Sequence, residues 1–305
     1  MHMDKVSSRH VTWVDLENPT SDQMSALSQK YMIHPLAAHE VLAATYRPKL
    51  EEYDEHLFLV LHFPVFDPKA KSILRREIDF IIFPYNLITI HYEEIPQLDD
   101  FQELLAGHEA LRERTFGFSS GHLLYHIISR LYAVSRQELD NLEVKAKEIE
   151  EKVFSGHEYE VLKEIAYARR DLINFQKALK PHQAVLESLL EHGKQFFGSE
   201  MNPYFNDIKG EYTQVWNALE NLREMLDTLY ETNISLLSAN TNEIMKTLAV
   251  LTVMVMPASL IAFIYSMDLD WIPLRRYPNA FVIISGIMIF ISFSIYRYFK
   301  KKRWV

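Results

Sequence analysis

Residues Thr247–Met267 read TLAVLTVMVMPASLIAFIYSM, a stretch of 21 residues without a charged side chain in a chain of 305. A helix of that length extends about 32 Å at 1.5 Å per residue, which matches the roughly 30 Å hydrocarbon core of a bilayer. The stretch therefore predicts a transmembrane helix. The alternative is a buried core helix of a soluble protein.

A second uncharged stretch, YPNAFVIISGIMIFISFSIY, covers Tyr277–Tyr296 and is followed by Arg297 and the basic run Lys300–Arg303. Two such stretches close together near one end of the chain disfavour the core-helix alternative. We expect transmembrane helices at 247–267 and 277–299, an external loop at 268–276 and a basic tail at 300–305.

The distribution of basic residues predicts the orientation of the two spans. Lys246 precedes the first span and the Lys300–Arg303 run follows the second, and basic flanks stay on the cytoplasmic side. The first ten residues lack the apolar core of a signal peptide. We therefore expect a multi-pass protein of the inner (plasma) membrane with both termini in the cytoplasm.

The composition excludes several classes of protein. There are 32 basic and 41 acidic residues, a net charge of −9 and no cysteine. Disulfide-stapled modules, cysteine zinc sites and thiolate nucleophiles are excluded, and an acidic surface disfavours nucleic acid as a partner. Because no phosphate-binding glycine loop or nucleophile elbow is present, we expect neither an enzyme nor a resident cofactor.

Residues 1–120 show the mixed patterns of an α/β domain. Val11–Leu16 alternates apolar and polar residues, as strands do, and Thr20 or Ser21 follows as a helix cap. Two short helices are predicted at Thr20–Met32 and Pro35–Ala44. Runs of β-branched and aromatic residues predict three more strands, at His56–Phe66, Glu77–Phe83 and Leu87–Tyr92.

From residue 121 the pattern becomes helical, with antiparallel helices expected over 121–202 at Gly121–Phe154 and Glu158–Leu190. A third helix is expected over 203–267, about 95 Å long and continuous with the first span, or else broken near Gly210 or Asn240. Ten positions in this helix are spaced at alternating steps of four and three residues and form a mostly apolar seam. This is the heptad pattern of helices that pack at low angles or coil around copies of themselves. The ten residues are Ile208, Tyr212, Val215, Leu219, Leu222, Leu226, Leu229, Asn233, Leu236 and Asn240.

One face of the first span carries residues that differ from the surrounding aliphatic ones. We call this face the polar stripe; it consists of Asn242, Met245, Ala249, Thr252, Met256, Ser259 and Phe263. Its hydroxyl groups can join helices or bond back to the preceding turn. The stripe can equally line an axial pore in which polar rings alternate with apolar constrictions. On these residues alone, helix packing is favoured over a pore.

The end of the first span resembles the CorA-type divalent cation transporters. In that family the span opens with Asn-Glu-x-Met-Lys, contains a proline and ends in Tyr-Gly-Met-Asn. Here Asn242–Lys246 reads NEIMK, Pro257 is present and Tyr265–Asp268 reads YSMD. The resemblance extends to the family's cytoplasmic domain and covers nearly the whole chain; the segments that carry it there are Trp13–Leu16, His34–Leu36, Tyr46–Tyr53 and Leu57–Leu61.

The resemblance implies a CorA-like homopentameric funnel. Long stalk helices would continue into the pore, the second spans would form an outer ring, and the polar stripe would face the axis. It implies transport of Mg²⁺, with Co²⁺ or Ni²⁺ as possible further ions. It also implies regulation by divalent ions bound at Asp67 and Asp207, which by themselves fit a turn and a helix start.

Two departures from the family pattern concern the pore. The mouth, Tyr265, Ser266, Met267 and Asp268, has serine and aspartate where the family has glycine and asparagine. Five Asp268 carboxylates would concentrate cations and also repel one another. Phe263 replaces a usually small residue, and we expect it to form apolar gates together with Met256. The alternative is that Phe263 points into a helix interface.

Other functions remain open at this point. Zinc transport of the ZntB type is one alternative, and a non-conducting membrane sensor or scaffold is another. His122 and His126 are four residues apart, a spacing that can bind zinc. Without a third ligand, we expect them to be a packed or solvated pair.

Overall fold

The structure is a computed structural model that describes residues 3–45, 47–267, 273, 278–302 and 304. The chain divides into two compact units, Met1–Tyr230 and Glu231–Val305. The first unit contains a six-stranded sheet and most of the helices. The second contains the two long apolar helical segments.

The sheet has the strand order β1-β2-β6-β5-β4-β3. Only β2 and β6 pair in parallel, and the other neighbours are antiparallel. The strands are β1 Met3–Ser7, β2 Thr12–Glu17, β3 Lys49–Glu52, β4 Leu57–Asp67, β5 Ser72–Ile82 and β6 Asn86–His91. Residues of both faces of β4 are buried, which explains its nearly continuous apolar sequence.

The predicted strands are confirmed at β2, β4 and β6, whereas β5 begins five residues earlier than its predicted start at Glu77. Its first part, SILRR, pairs with the end of β4 in a hairpin. This part was not predicted because its two arginines interrupt the apolar pattern of a strand. The edge strands β1 and β3 were not predicted. Their sequences, MDKVS and KLEE, are largely polar, as edge strands often are.

Short helices border the sheet. Helix α1, Ser21–Tyr31, begins after a capping box in which Thr20 and Gln23 bond reciprocally, so the predicted cap at Thr20 is confirmed. Helix α2, Pro35–Glu40, ends four residues before the predicted Ala44. Helices α3, Pro96–Gly107, and α4, Glu109–Phe116, were not predicted.

Helix α5 covers Ser120–Phe154, close to its prediction. The single helix predicted over Glu158–Leu190 is wrong, because the chain forms α6, Glu158–Leu179, and α7, His182–Phe197. Pro181 lies at the break, since proline lacks the N–H that a continuing helix would need and its ring crowds the preceding turn.

Helix α8 runs without interruption over Asn202–Ser266, so the alternative with a break at Gly210 or Asn240 is wrong. Helix α9 covers Ala280–Lys301. Both helices contain a segment long and apolar enough to cross a membrane, as judged by length and composition. Pro257 lies inside α8.

The heptad positions of α8 are buried in the first unit from Ile208 to Leu229. Polar contacts flank them: Lys209 pairs with Glu187 of α7 at 3.1 Å, and Gln176 of α6 donates to Glu220 at 3.2 Å. The heptad pattern in this part therefore reflects packing within one chain. Further along α8, Asn233 is buried, whereas Asn240 is exposed.

Candidate functional site

The membrane-length parts of α8 and α9 contact each other in the second unit. Ser292 of α9 donates a hydrogen bond to the Met254 carbonyl at 3.0 Å. Val250 is buried, and Met254, Pro257, Ala258 and Ile261 are partly buried. These residues share one face of α8, which we call the α9-facing side.

All seven residues of the polar stripe are exposed in this chain. At about 100° per residue, the stripe is centred about half a turn around α8 from the α9-facing side. The exposed fractions of its largest apolar members are high, 69% for Met256 and 70% for Phe263. The structure thus brings the predicted pore residues together on one open face, and Phe263 does not pack between α8 and α9.

The hydroxyl groups of the polar stripe bond within their own helix. Thr252 donates to the Leu248 carbonyl at 2.9 Å, and Ser259 donates to the Val255 carbonyl at 3.1 Å. Such bonds to the preceding turn are common for threonine and serine in helices. In this chain, therefore, neither hydroxyl proton joins α8 to α9.

The end of α8 carries the predicted mouth. Tyr265 is partly buried, and its hydroxyl donates to the Pro273 carbonyl at 2.8 Å. Ser266 is the last residue of α8, and its hydroxyl donates to the Phe263 carbonyl at 2.8 Å. Met267 is 45% exposed. Asp268, the fourth residue of the mouth, lies outside the described residues.

Asp67, the first predicted regulatory carboxylate, lies at the turn between β4 and β5. One of its oxygens accepts hydrogen bonds from the Lys69 and Ala70 amides at 2.8 and 2.9 Å, and the other accepts from Arg76 at 2.7 Å. The bonds from the Ala70 and Lys69 amides and the Arg76 charge lower the pKa of Asp67. Within one chain it is therefore engaged as a turn former and ion-pair partner.

Asp207, the second predicted regulatory carboxylate, is exposed in the first turns of α8. It accepts a hydrogen bond from the Tyr125 hydroxyl of α5 at 2.7 Å. That bond, together with partial burial, raises the pKa of Tyr125 to about 12. The Asp207 carboxylate thus stays accessible from outside the chain, whereas that of Asp67 is neutralised by an arginine.

A cluster that was not predicted from the sequence is formed by Asp15 of β2, His91 of β6 and Asp99 of α3. One ligand atom from each lies within 4.8 Å of the others. Asp15 Oδ2 and His91 Nε2 are 3.1 Å apart. Asp15 and His91 are buried and Asp99 is exposed. In the sequence, Asp15 and His91 are polar residues within two strands that are mostly buried.

The buried Asp15–His91 pair is held by several hydrogen bonds. His91 Nδ1 donates to the Glu93 carbonyl at 2.7 Å, and the Thr89 hydroxyl donates to the other oxygen of Asp15. Trp13 in turn donates to the Thr89 hydroxyl at 2.9 Å. Burial lowers the pKa of His91, but the hydrogen bond and charge of Asp15 outweigh it, so that the pKa is raised.

The His122–His126 pair forms no comparable cluster. His122 Nδ1 lies 3.0 Å from the Ser119 hydroxyl, and burial lowers the pKa of both histidines. Across the described residues, only the Asp15, His91 and Asp99 set meets the spacing of a three-ligand metal site. His122 and His126, for which a packed or solvated pair was expected, are both partly buried.

Known proteins share this architecture. The complete structure of the CorA magnesium transporter from Methanocaldococcus jannaschii superposes with a TM-score of 0.84 at 24% identity and covers 99% of this chain and 94% of that one. The cytoplasmic domain of ZntB from Vibrio parahaemolyticus is less similar, with a TM-score of 0.55 at 17% identity over 77% of this chain and 90% of that one. At these identities the likeness concerns the fold.

The sequence comparisons extend over the same length. The chain is 25% identical over 296 residues to the cobalt/magnesium transport protein CorA of Thermotoga maritima, covering 96% of this chain and 83% of that protein. Residues 8–301 match the family described as CorA-like Mg²⁺ transporter protein. The chain therefore belongs to the CorA-like Mg²⁺ transporter protein family.

Proposed function

We propose that this protein is one subunit of a homopentamer that moves Mg²⁺, with Co²⁺ or Ni²⁺ as additional ions, through an axial pore. Its family is one of transporters, so the prediction of a membrane transport protein rather than an enzyme is confirmed. The similar proteins are a magnesium transporter and a cobalt/magnesium transport protein, which supports a divalent cation as the transported ion.

The position of the polar stripe carries this proposal. It lies about half a turn from the α9-facing side, and all seven residues are exposed. A single chain in a bilayer would present the Thr252 and Ser259 oxygens to lipid, which offers them no hydrogen-bond donor. In a ring of subunits with the α9 helices outside, the same groups line a central water-filled path.

The proposed pathway has a mouth and two constrictions. Asp268 would form a ring of carboxylates at the outer end, next to Tyr265, Ser266 and Met267. Met256 and Phe263 would form apolar rings that close by excluding water. No ATPase motif is required, because the membrane potential supplies about 2.3 kcal/mol per charge for each 100 mV.

We propose the following membrane topology. The spans are 247–267 and 277–299, the loop 268–276 is external, and both termini lie on the cytoplasmic side of the inner membrane. The basic run Lys300–Arg303 after the second span and Lys246 before the first support this orientation. Divalent ions at Asp207, with Asp67 of a neighbouring subunit, would regulate the pore from the cytoplasm.

The absence of cysteine makes a direct test possible. Thr252→Cys and Ser259→Cys each introduce a unique thiol on the polar stripe, and Leu251→Cys introduces one that is exposed but about 120° around the helix. We expect a water-soluble cationic thiol reagent to block Mg²⁺ flux into liposomes for the two stripe variants and to leave Leu251→Cys unaffected. Equal sensitivity of all three variants would contradict the pore.

Measuring the flux of Mg²⁺ and of Zn²⁺ separately in the same liposomes distinguishes a magnesium transporter from a zinc transporter. A protein of the ZntB type would move Zn²⁺ in preference to Mg²⁺. Complementation of a magnesium-uptake-deficient bacterium separates transport from a scaffold role. Absence of flux for every divalent ion, with a correctly assembled oligomer, would identify a non-conducting member of the family.

A further inference from the structure

A groove of about 610 Å³ lies beside the buried Asp15–His91 pair, and Asp99 belongs to both. Among the described residues that line it, Lys5 carries an ammonium group and five others carry carboxylates; they are Asp4, Glu17, Glu94, Asp99 and Glu103. Such an excess of negative charge in a concave surface concentrates cations. A carboxylate cluster by itself, however, does not define a site.

The arrangement of His91 adds an independent indication of a metal site. Its Nδ1–H is donated to the Glu93 carbonyl, so Nε2 is the ring nitrogen that faces the Asp15 carboxylate. Histidines that bind metals usually donate their other ring N–H to a carbonyl or carboxylate, which fixes the ring orientation. Asp15 is held similarly, by the hydroxyl of Thr89, which Trp13 orients.

Gln102 adds a second observation. It lies one turn after Asp99 on α3 and lines the groove, yet it is only 5% exposed and its Nε2 has no hydrogen-bond partner among the described residues. An unsatisfied buried amide group costs about 1–3 kcal/mol. An N–H donor at this position would bond the Asp99 carboxylate when that side chain turns toward the ion, and carboxylates that bind metals are usually hydrogen-bonded in this way.

We propose that Asp15, His91 and Asp99 bind a divalent first-row transition-metal ion of the Co²⁺ to Zn²⁺ group. An imidazole with two carboxylates suits these ions, whereas Mg²⁺ prefers oxygen ligands and near-octahedral geometry. In a tetrahedral site with ligand distances of about 2.1 Å, ligand atoms lie about 3.4 Å apart. Asp15 Oδ2 and His91 Nε2, at 3.1 Å, already match this spacing. The exposed Asp99 side chain must rotate to bring its oxygen closer than the 4.8 Å that bounds the set. The ion takes the place of the proton at Nε2.

The site belongs to the first unit, apart from the proposed pore, and does not depend on the proposed function. It would bind its ion whether or not the protein conducts. An ion would reach the site from the groove, which the exposed Asp99 lines. Asp15 and His91 are buried ligands held by two parallel strands. The β2–β6 pairing thus positions two of the three ligands before any ion arrives.

The test uses the full-length protein in detergent with Co²⁺ as the probe, in a large excess of Mg²⁺ that occupies oxygen-only sites. We expect one Co²⁺ per chain to remain bound, with a visible absorption band typical of nitrogen coordination. Asp99→Asn should weaken this binding at least about tenfold. Asp100→Asn, the exposed neighbour in the same turn of α3, should leave it unchanged.

Two further measurements complete the test. His91→Asn should abolish the nitrogen signature, with circular dichroism reporting whether the variant is folded. Mg²⁺ flux of Asp99→Asn should equal that of the unmodified protein, which separates this site from the pore. Displacement of Co²⁺ by Mg²⁺, or equal Co²⁺ affinity of Asp99→Asn and Asp100→Asn, would overturn the proposal.

Discussion

Gly193 of α7 lies directly against the ring of Phe205 of α8: a methyl group at Gly193 would stand 2.5 Å from Phe205 Cε2. Phe205 is 1% exposed, so its ring cannot move aside freely. The glycine therefore sets how closely the two helices approach in the first unit.

Gly193→Ala should lower the free energy of unfolding by about 1–3 kcal/mol, because the added methyl group overpacks this contact. Gly210→Ala is the matched control, since Gly210 also lies in a helix and has nothing within 4 Å of an added methyl group. It should raise stability by up to about 1 kcal/mol through helix propensity. Urea unfolding followed by tryptophan fluorescence measures both, and equal shifts for the two variants would contradict the close contact.

Because His182 is buried in its neutral form, we expect the protein to lose stability in acid. This histidine is fully buried, accepts from the Tyr132 hydroxyl at 2.6 Å and donates to the His62 carbonyl at 2.8 Å. Burial lowers its pKa to about 3 from an unfolded value of 6.5. As the pH is lowered, the unfolded state binds the proton first. Protonation of this histidine therefore leaves the free energy of unfolding unchanged above pH 6.5 and lowers it by up to about 1.4 kcal/mol per pH unit between pH 6.5 and 3.

The measurement is the slope of the unfolding free energy against pH between 6.5 and 5. His182→Gln should flatten that slope, although it also lowers stability at neutral pH. His39→Gln replaces an exposed histidine and should leave the slope unchanged. An unaltered slope in His182→Gln would show that other groups dominate the acid response.

Phe263→Gly should increase Mg²⁺ flux in liposomes, because it removes an apolar ring from the proposed gate. Phe290→Gly is the matched control. Phe290 is 71% exposed, against 70% for Phe263, and it lies on α9 rather than on the polar stripe. Both variants carry the cost of a glycine within a helix, so a flux increase confined to Phe263→Gly identifies the gate. Unchanged flux would count against it.

Asp268→Asn should alter flux and weaken the preference for divalent over monovalent cations, since it removes the proposed ring of negative charge. Asp270→Asn, two residues further in the same loop, is the control and should have the smaller effect. Flux measured with Mg²⁺ and with Na⁺ gives the preference. If Asp268→Asn leaves both flux and preference untouched, the mouth has no role in selectivity.

Asp207→Asn should reduce the inhibition of flux by Mg²⁺ on the cytoplasmic side, because hard divalent ions bind carboxylate oxygens. Asp140→Asn, on the exposed face of α5, is the control. The concentration of internal Mg²⁺ that halves the flux is the quantity to compare. Identical values for the two variants would remove Asp207 from the regulatory site.

The strongly periodic parts of the fold could be predicted from sequence. The apolar stretches of α8 and α9 and the buried strand β4 are long and uninterrupted, so their patterns strongly favour one interpretation each. The polar edge strands β1 and β3 carry none, because an edge strand buries little. Pro181 marks the one predicted helix that divides, and a proline is a recognisable signal for such a break.

The candidate sites were predictable to different degrees. The polar stripe follows from residue spacing along one helix, so its common face could be stated in advance. Arg76 beside Asp67 and Tyr125 beside Asp207 could not, because these contacts depend on how separate elements meet. The same is true of Asp15 and His91, which are 76 residues apart and become neighbours only when β2 and β6 pair.

The hydrogen bonds of Thr252 and Ser259 to their own helix have a consequence for charge discrimination. Each hydroxyl proton is already donated, to Leu248 and to Val255, so the outward side of each oxygen offers only lone pairs. A hydrated cation presents the hydrogen atoms of its water shell, which such oxygens accept, whereas an anion needs hydrogen-bond donors, which these oxygens lack. On the proposed axis, these two neutral side chains would thereby favour positive ions at the levels of Thr252 and Ser259.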